Sequence, residues 1–122
     1  MQIIIDFVPS IVQRYDTAGD WFYTPDGTLM ILVSNDNPEF PTQIDQEGIA
    51  LHELMEALLC GQMGVTQKQV DDWDMQTSAE EPGDDPEAPY HEQHTLATIV
   101  EALYVREAVR YNRGNQPVKE SP

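Results

Sequence analysis

An imidazole and two carboxylates within five residues open the chemistry of this chain. His52, Glu53 and Glu56 lie in residues 49–61, IALHELMEALLCG. Drawn as a helix, that run is apolar around most of its circumference, through Ile49, Leu51, Leu54, Met55, Leu58 and Leu59. At about 3.6 residues per turn, His52 and Glu56 share one side, and Glu53 sits about 100° further round, near the same edge. Carboxylates stay ionised in such surroundings only where a cation or a hydrogen-bonded partner compensates them. A single metal ion is the simplest compensator, with His52 and Glu56 as its ligands.

Further donors must come from other segments. Residues 90–113 read as a second long helix, ended by Gly114, with Leu96, Ile99, Val100 and Leu103 on one apolar face. His91, His94, Thr98 and Glu101 fall within one narrow sector on the opposite side. His94 or His91 reaches the first helix only if the two helices pack face to face. Glu101 is two turns from His94, about 10 Å along the axis, which suits an outer contact or a salt bridge better than the same metal. Asp71, Asp72 and Asp74 gather at the end of a short helix, where they oppose its dipole and invite a cation. Which of His91, His94 and Asp74 completes a site is open at this level.

An HExxH helix presents two imidazoles to a metal and a glutamate that takes a proton from water. Residues 52–56, HELME, resemble that zincin metallopeptidase signature with glutamate in place of the second histidine. The order of a small sheet, a motif helix and a later helix is also similar to a minimal zincin. The resemblance implies His52 and Glu56 as ligands, Glu53 as general base, and a later ligand at His94 or His91. The carboxylate ligand makes the metal a weaker Lewis acid. Zinc then remains the leading ion, with manganese, iron or nickel as alternatives. The chain as a whole resembles short phage-encoded proteins for which no activity is established. That likeness is carried by residues 19–21, 51–60, 70–74, 81–86, 90–95 and 99–101. It implies that Asp74 and His94 belong to one set with His52 and Glu56.

The elements that must position these residues are legible as an α+β domain. Residues 2–8 read as a strand bounded by Pro9, and residues 20–24 and 28–34 as two strands joined through Pro25-Asp26-Gly27, a hairpin signal. A small, mostly antiparallel three-stranded sheet is expected, followed by three helices. The motif helix is expected to start between Thr42 and Asp45 and to stop at Gly61 or Gly64. Thr66 and Gln69 match a capping box, with Val65 and Val70 as its hydrophobic staple, for a short helix through Trp73. Residues 75–89 read as an acidic surface loop without EF-hand spacing, and residues 115–122 as a flexible tail. The whole of 1–122 reads as a single zincin-like domain.

The 22 acidic and 6 basic residues give a formal charge of −16, which disfavours direct contact with nucleic acid or anionic membranes and favours cations or a basic protein. The single cysteine, Cys60, reads as a small buried core residue. The first ten residues have neither the basic start nor the length of a signal peptide or membrane span, so a cytoplasmic location is expected, that of the host for a phage protein. Two functions follow. One is a metal-dependent hydrolase, a peptidase or amidase acting on a peptide substrate. The other is a metal-stabilised acidic protein without chemistry, which binds a basic partner or imitates nucleic acid.

Overall fold

The computed structural model describes residues 1–77 and 81–115. Three strands, β1 (Ile3–Val8), β2 (Gly19–Tyr23) and β3 (Leu29–Ser34), precede three helices, α1 (Gln43–Met63), α2 (Gln67–Gln76) and α3 (His91–Asn115). Short 3-10 turns lie at Ser10–Val12 and Pro82–Asp84. The α+β class and the three helices match the expectation from sequence; the sheet does not. Its order is β1-β3-β2, with β1 parallel and β2 antiparallel to β3, so it is mixed and not mostly antiparallel. The reason is the connection between β1 and β2. Residues 9–18 are too long for a tight turn, and they carry the chain past the position that β3 later fills. Gln13 fastens this crossing by donating to Leu32 O at 3.1 Å and Ser34 Oγ at 3.2 Å. The β2–β3 hairpin forms where expected, with Gly27 supplying the φ of 85° that its turn needs.

Capping decides the helix ends. Thr42 and Asp45 form a capping box at the start of α1, and Gly64, at φ 76°, ends it, so Gly61 lies inside the helix. Thr66 and Gln69 cap α2 in the same way. This helix runs on to Gln76, which places Asp74 within it and not after it. Residues 75–89 are therefore less of a loop than expected, since they hold the last residues of α2 and the Pro82–Asp84 turn. Helix α3 continues through Gly114 to Asn115. The tail expectation for residues 116–122 lies outside the described residues, as does the part of the acidic loop at 78–80.

Leu29, Ile31 and Val33 of β3 are fully buried among Trp21, Val70 and the Ile49, Ala50, Ala57 and Cys60 positions of α1. Helix α1 packs on β2 and β3 with one side and on α3 with another. Gly48 permits the close helix pairing, because a Cβ there would meet Val105 Cγ2 at 2.6 Å. Helix α3 turns its polar sector inward, with Ala97 buried beside it. Leu96, Ile99 and Leu103 point outward at 41, 59 and 52% exposure. The apolar stripe of α3 is thus its outer face, the reverse of ordinary amphipathic packing. The polar face that carries His94 and Glu101 has displaced it. Strand β1 is likewise exposed at Ile3, Ile4, Ile5 and Phe7. Among the described residues, no helix is long and apolar enough to cross a membrane.

Candidate metal centre

Two helices bring His52, Glu56 and His94 together. Their relative exposures are 7, 5 and 8%, so all three polar side chains are buried. One ligand atom from each lies within 4.8 Å of the others. Glu56 Oε2 is the centre of the arrangement, 3.3 Å from His52 Nε2 and 3.0 Å from His94 Nδ1. Its second oxygen accepts a hydrogen bond from Trp21 Nε1 at 3.0 Å. The two imidazoles meet edge to face with centroids 4.8 Å apart.

The remaining ring nitrogens face outward to carboxylates. His94 Nε2 lies 3.0 Å from Asp84 Oδ1. His52 Nδ1 lies 2.9 Å from Glu101 Oε1, a short contact that lacks hydrogen-bond alignment, so this buried atom has no hydrogen-bond partner. Each imidazole therefore has one nitrogen on a shared central oxygen; the other is hydrogen-bonded to an outer acid in His94 and in misaligned contact with one in His52. A carboxylate that receives the outer N–H fixes the tautomer and leaves the inner nitrogen as a lone pair, the arrangement that precedes metal ligation. Two lone pairs cannot face one carboxylate oxygen without a cation between them. In the absence of a metal, protons must serve.

The electrostatics follow from that. Burial pulls against the charge on His52, but Glu101 and Glu56 outweigh it and raise its pKa to about 10. The pKa of His94 is also raised, with burial opposing and Glu56 prevailing. For Glu56, burial acts upward, but the bonds from His52 and His94 hold the carboxyl down to about 2. Glu53 behaves oppositely. Burial, and then the neighbouring Glu56 charge, push its pKa well above the usual carboxylate range. Its Oε2 lies 3.8 Å from His52 Nε2, and its side chain packs on Gly19, where an added Cβ would meet Glu53 Cγ at 2.8 Å.

Asp74 and His91 stand outside the group. Asp74 accepts a hydrogen bond from Tyr15 Oη at 3.3 Å and a second, short one from Tyr90 Oη. Burial raises its carboxyl to about 6. His91 Nδ1 donates to Gly83 O at 2.8 Å, while Trp73 Nε1 donates to Pro82 O at 3.0 Å. These two bonds pin the Pro82–Asp84 turn onto the face of His94, where a Cβ on Gly83 would lie 2.4 Å from the ring. His91 thus positions the turn that covers His94 and is not itself at the centre.

Sequence reasoning missed Asp84, which it left in an acidic surface loop, and the role of Trp21. Spacing gave no hint of Asp84. For Trp21 a signal existed, since a buried indole N–H needs an acceptor, and Glu56 is the acceptor within the apolar helix. The centre opens on a cavity of about 810 Å³, whose walls include His52, Glu53, Glu56, Asp74, His94 and Glu101. Comparison with protein families, with curated proteins and with solved structures returns no match.

Proposed function

We propose that this protein is a metal-dependent hydrolase of peptide or amide bonds, holding one divalent metal through His52 Nε2, Glu56 Oε2 and His94 Nδ1. The observation that carries this is the convergence of two inner nitrogens on one buried carboxylate oxygen, each backed by an outer acid. Two imidazoles and one carboxylate form a donor set with which catalytic zinc keeps a fourth position open. Zinc is the expected ion, and the same set accepts manganese, iron or nickel. The metal would supply Lewis acidity toward a carbonyl oxygen.

Everything else falls to the chain. Asp74, engaged by two tyrosines, does not close the fourth position. Glu53 lines the same cavity with no hydrogen-bond donor among the described residues, free to take the proton from an attacking water. A carboxyl whose pKa is raised above the usual carboxylate range is suited to accept that proton and return it to the leaving amine. The zincin-like assignment rests on HELME and on this place for Glu53; phage origin and a cytoplasmic location remain proposals of the sequence.

A second reading is favoured by one observation, the exposure of Ile3, Ile5 and Phe7 on β1 and of the Leu96, Ile99, Leu103 stripe on α3. Apolar surface of that kind marks contact with another protein. The metal would then stabilise an acidic interaction protein with no chemistry of its own. Elemental analysis of tag-free protein purified without chelators, beside His52→Ala, tests the centre itself. About one equivalent of transition metal in the wild type and none in the variant is the expected result. No metal in either, with melting unchanged by EDTA, overturns it. Hydrolysis of a peptide library by the metal-loaded protein, absent in Glu53→Gln, separates the two readings.

A further inference from the structure

Nine of the residues lining the 810 Å³ cavity are Asp or Glu, and none is Lys or Arg. Five of these acids already have duties: Glu56, Glu101 and Asp84 serve the histidines, Asp20 pairs with Arg14 at 2.8 Å, and Asp74 holds the two tyrosines. Asp16, Glu39, Glu53 and Glu81 are left without a Lys or Arg partner among the described residues. Glu53 is deep in the cavity. The other three are exposed and come from three different loops: the β1–β2 crossing, the β3–α1 connection and the segment before the Pro82–Asp84 turn. They lie at the open side of a cavity whose wall also carries His52, Glu56 and His94 and the rings of Trp21 and Phe40.

Exposed acids scattered over a chain of charge −16 would mean nothing. Acids convergent on the entrance of a recess with a metal-binding group at its floor set the sign of what enters. Low-dielectric walls focus such a field, raising the local concentration of cationic ligands and repelling anionic ones. At about 810 Å³ and partly aromatic, the recess suits a peptide with alkyl-stemmed cations better than a bare ion.

We infer that the cavity receives a basic peptide, with Lys or Arg side chains held by Asp16, Glu39 and Glu81 while the adjoining backbone reaches the His52–Glu56–His94 centre. This rests on the hydrolase reading above and names its substrate class. The Glu81, Asp84 and His94 atoms also lie close enough to hold a cation. On this proposal the cation there is the ammonium or guanidinium of the peptide.

The test is fluorescence anisotropy of a labelled arginine-rich peptide and its glutamine-substituted twin, at an ionic strength of about 0.15 M, where loose surface attraction is screened. Metal content is measured on every sample. The arginine peptide is expected to bind at least about tenfold tighter than the twin, and the triple variant D16N/E39Q/E81Q to abolish that preference. A control, D6N/D72N/E107Q, removes the same charge from exposed sites outside the cavity and is expected to keep it. Equal binding of the two peptides, or equal loss in the control, overturns the substrate class while one equivalent of metal leaves the centre standing. Loss of metal in the rim variant also overturns it, by showing that those acids serve the ion. A wild type without metal fails the hydrolase reading separately.

Discussion

Two carboxylates one turn apart on α1 are held in opposite states. Glu56 is as buried as the core around it, yet the Trp21 N–H and one nitrogen of each imidazole converge on it and its pKa falls to about 2. Glu53, one turn earlier, has no hydrogen-bond donor among the described residues, and its pKa rises. Asp74, facing the same space, has two tyrosine donors and still rises to about 6, because burial and the Glu56 charge outweigh them. Burial alone therefore does not decide ionisation here; the supply of cationic partners does. The division is the one a hydrolytic metal centre needs: a permanently charged ligand beside a carboxyl poised to exchange a proton.

The sharpest way to break this comparison is to remove the two glutamates in turn. Glu56→Ala should abolish metal binding and cost about 3–5 kcal/mol, since it strands the Trp21 N–H and two imidazoles in a buried site. Elemental analysis and thermal melting read both effects. Glu53→Gln should retain the full metal content and change stability by less than about 1 kcal/mol, because glutamine keeps the volume of a side chain that accepts no hydrogen bond among the described residues. Its hydrolytic rate should fall by about 10²–10⁴-fold. A Glu53→Gln protein without metal would erase the distinction between the two glutamates.

Much of this division was legible in the sequence, and the limits are physical. An apolar helix with His52 and Glu56 one turn apart reports a buried polar pair directly, because helical periodicity converts spacing into direction. The capping boxes at Thr42 and Thr66 were legible for the same local reason. The β1–β3 pairing was not, since nothing in residues 9–18 states which strand the crossing passes. The inward turn of His94 and Glu101 was hidden by Leu96, Ile99 and Leu103. Periodicity alone assigns those residues to the core, whereas Gly48, Ala97 and the ligand set bring the polar face to α1. Asp84 reaches His94 through a turn fixed by His91 and Trp73, a tertiary arrangement with no sequence period.

A smaller effect sharpens the contrast through pH. The folded pKa of His52 lies above its ordinary 6.5, at about 10, so its stabilising charge is fully present below pH 6.5 and lost as pH rises through 10. Metal-free protein should therefore melt progressively lower between pH 6.5 and 10. A bound metal replaces the proton, so the loaded protein should show a much flatter curve in that window, and metal uptake should release protons. Calorimetry with and without EDTA measures both. Parallel curves would mean that His52 is not a ligand.

The smallest expected effect isolates Asp74. Its carboxyl is raised from 3.8 to about 6, so the stability it contributes is present below pH 3.8 and lost as pH rises through 6. Above that range the folded protein carries a poorly compensated charge. Asp74→Asn keeps an acceptor for Tyr15 or Tyr90 and removes the charge, and it should stabilise the protein at pH 7 by about 1 kcal/mol, the full shift being discounted for partial exposure. The gain should shrink toward zero as the pH is lowered to about 4. Metal content should stay at one equivalent, since the tyrosines and not the ion hold this side chain. An Asp74→Asn protein that loses its metal would put Asp74 with Glu56 among the ligands and close the fourth coordination position, which removes the ground for a catalytic centre.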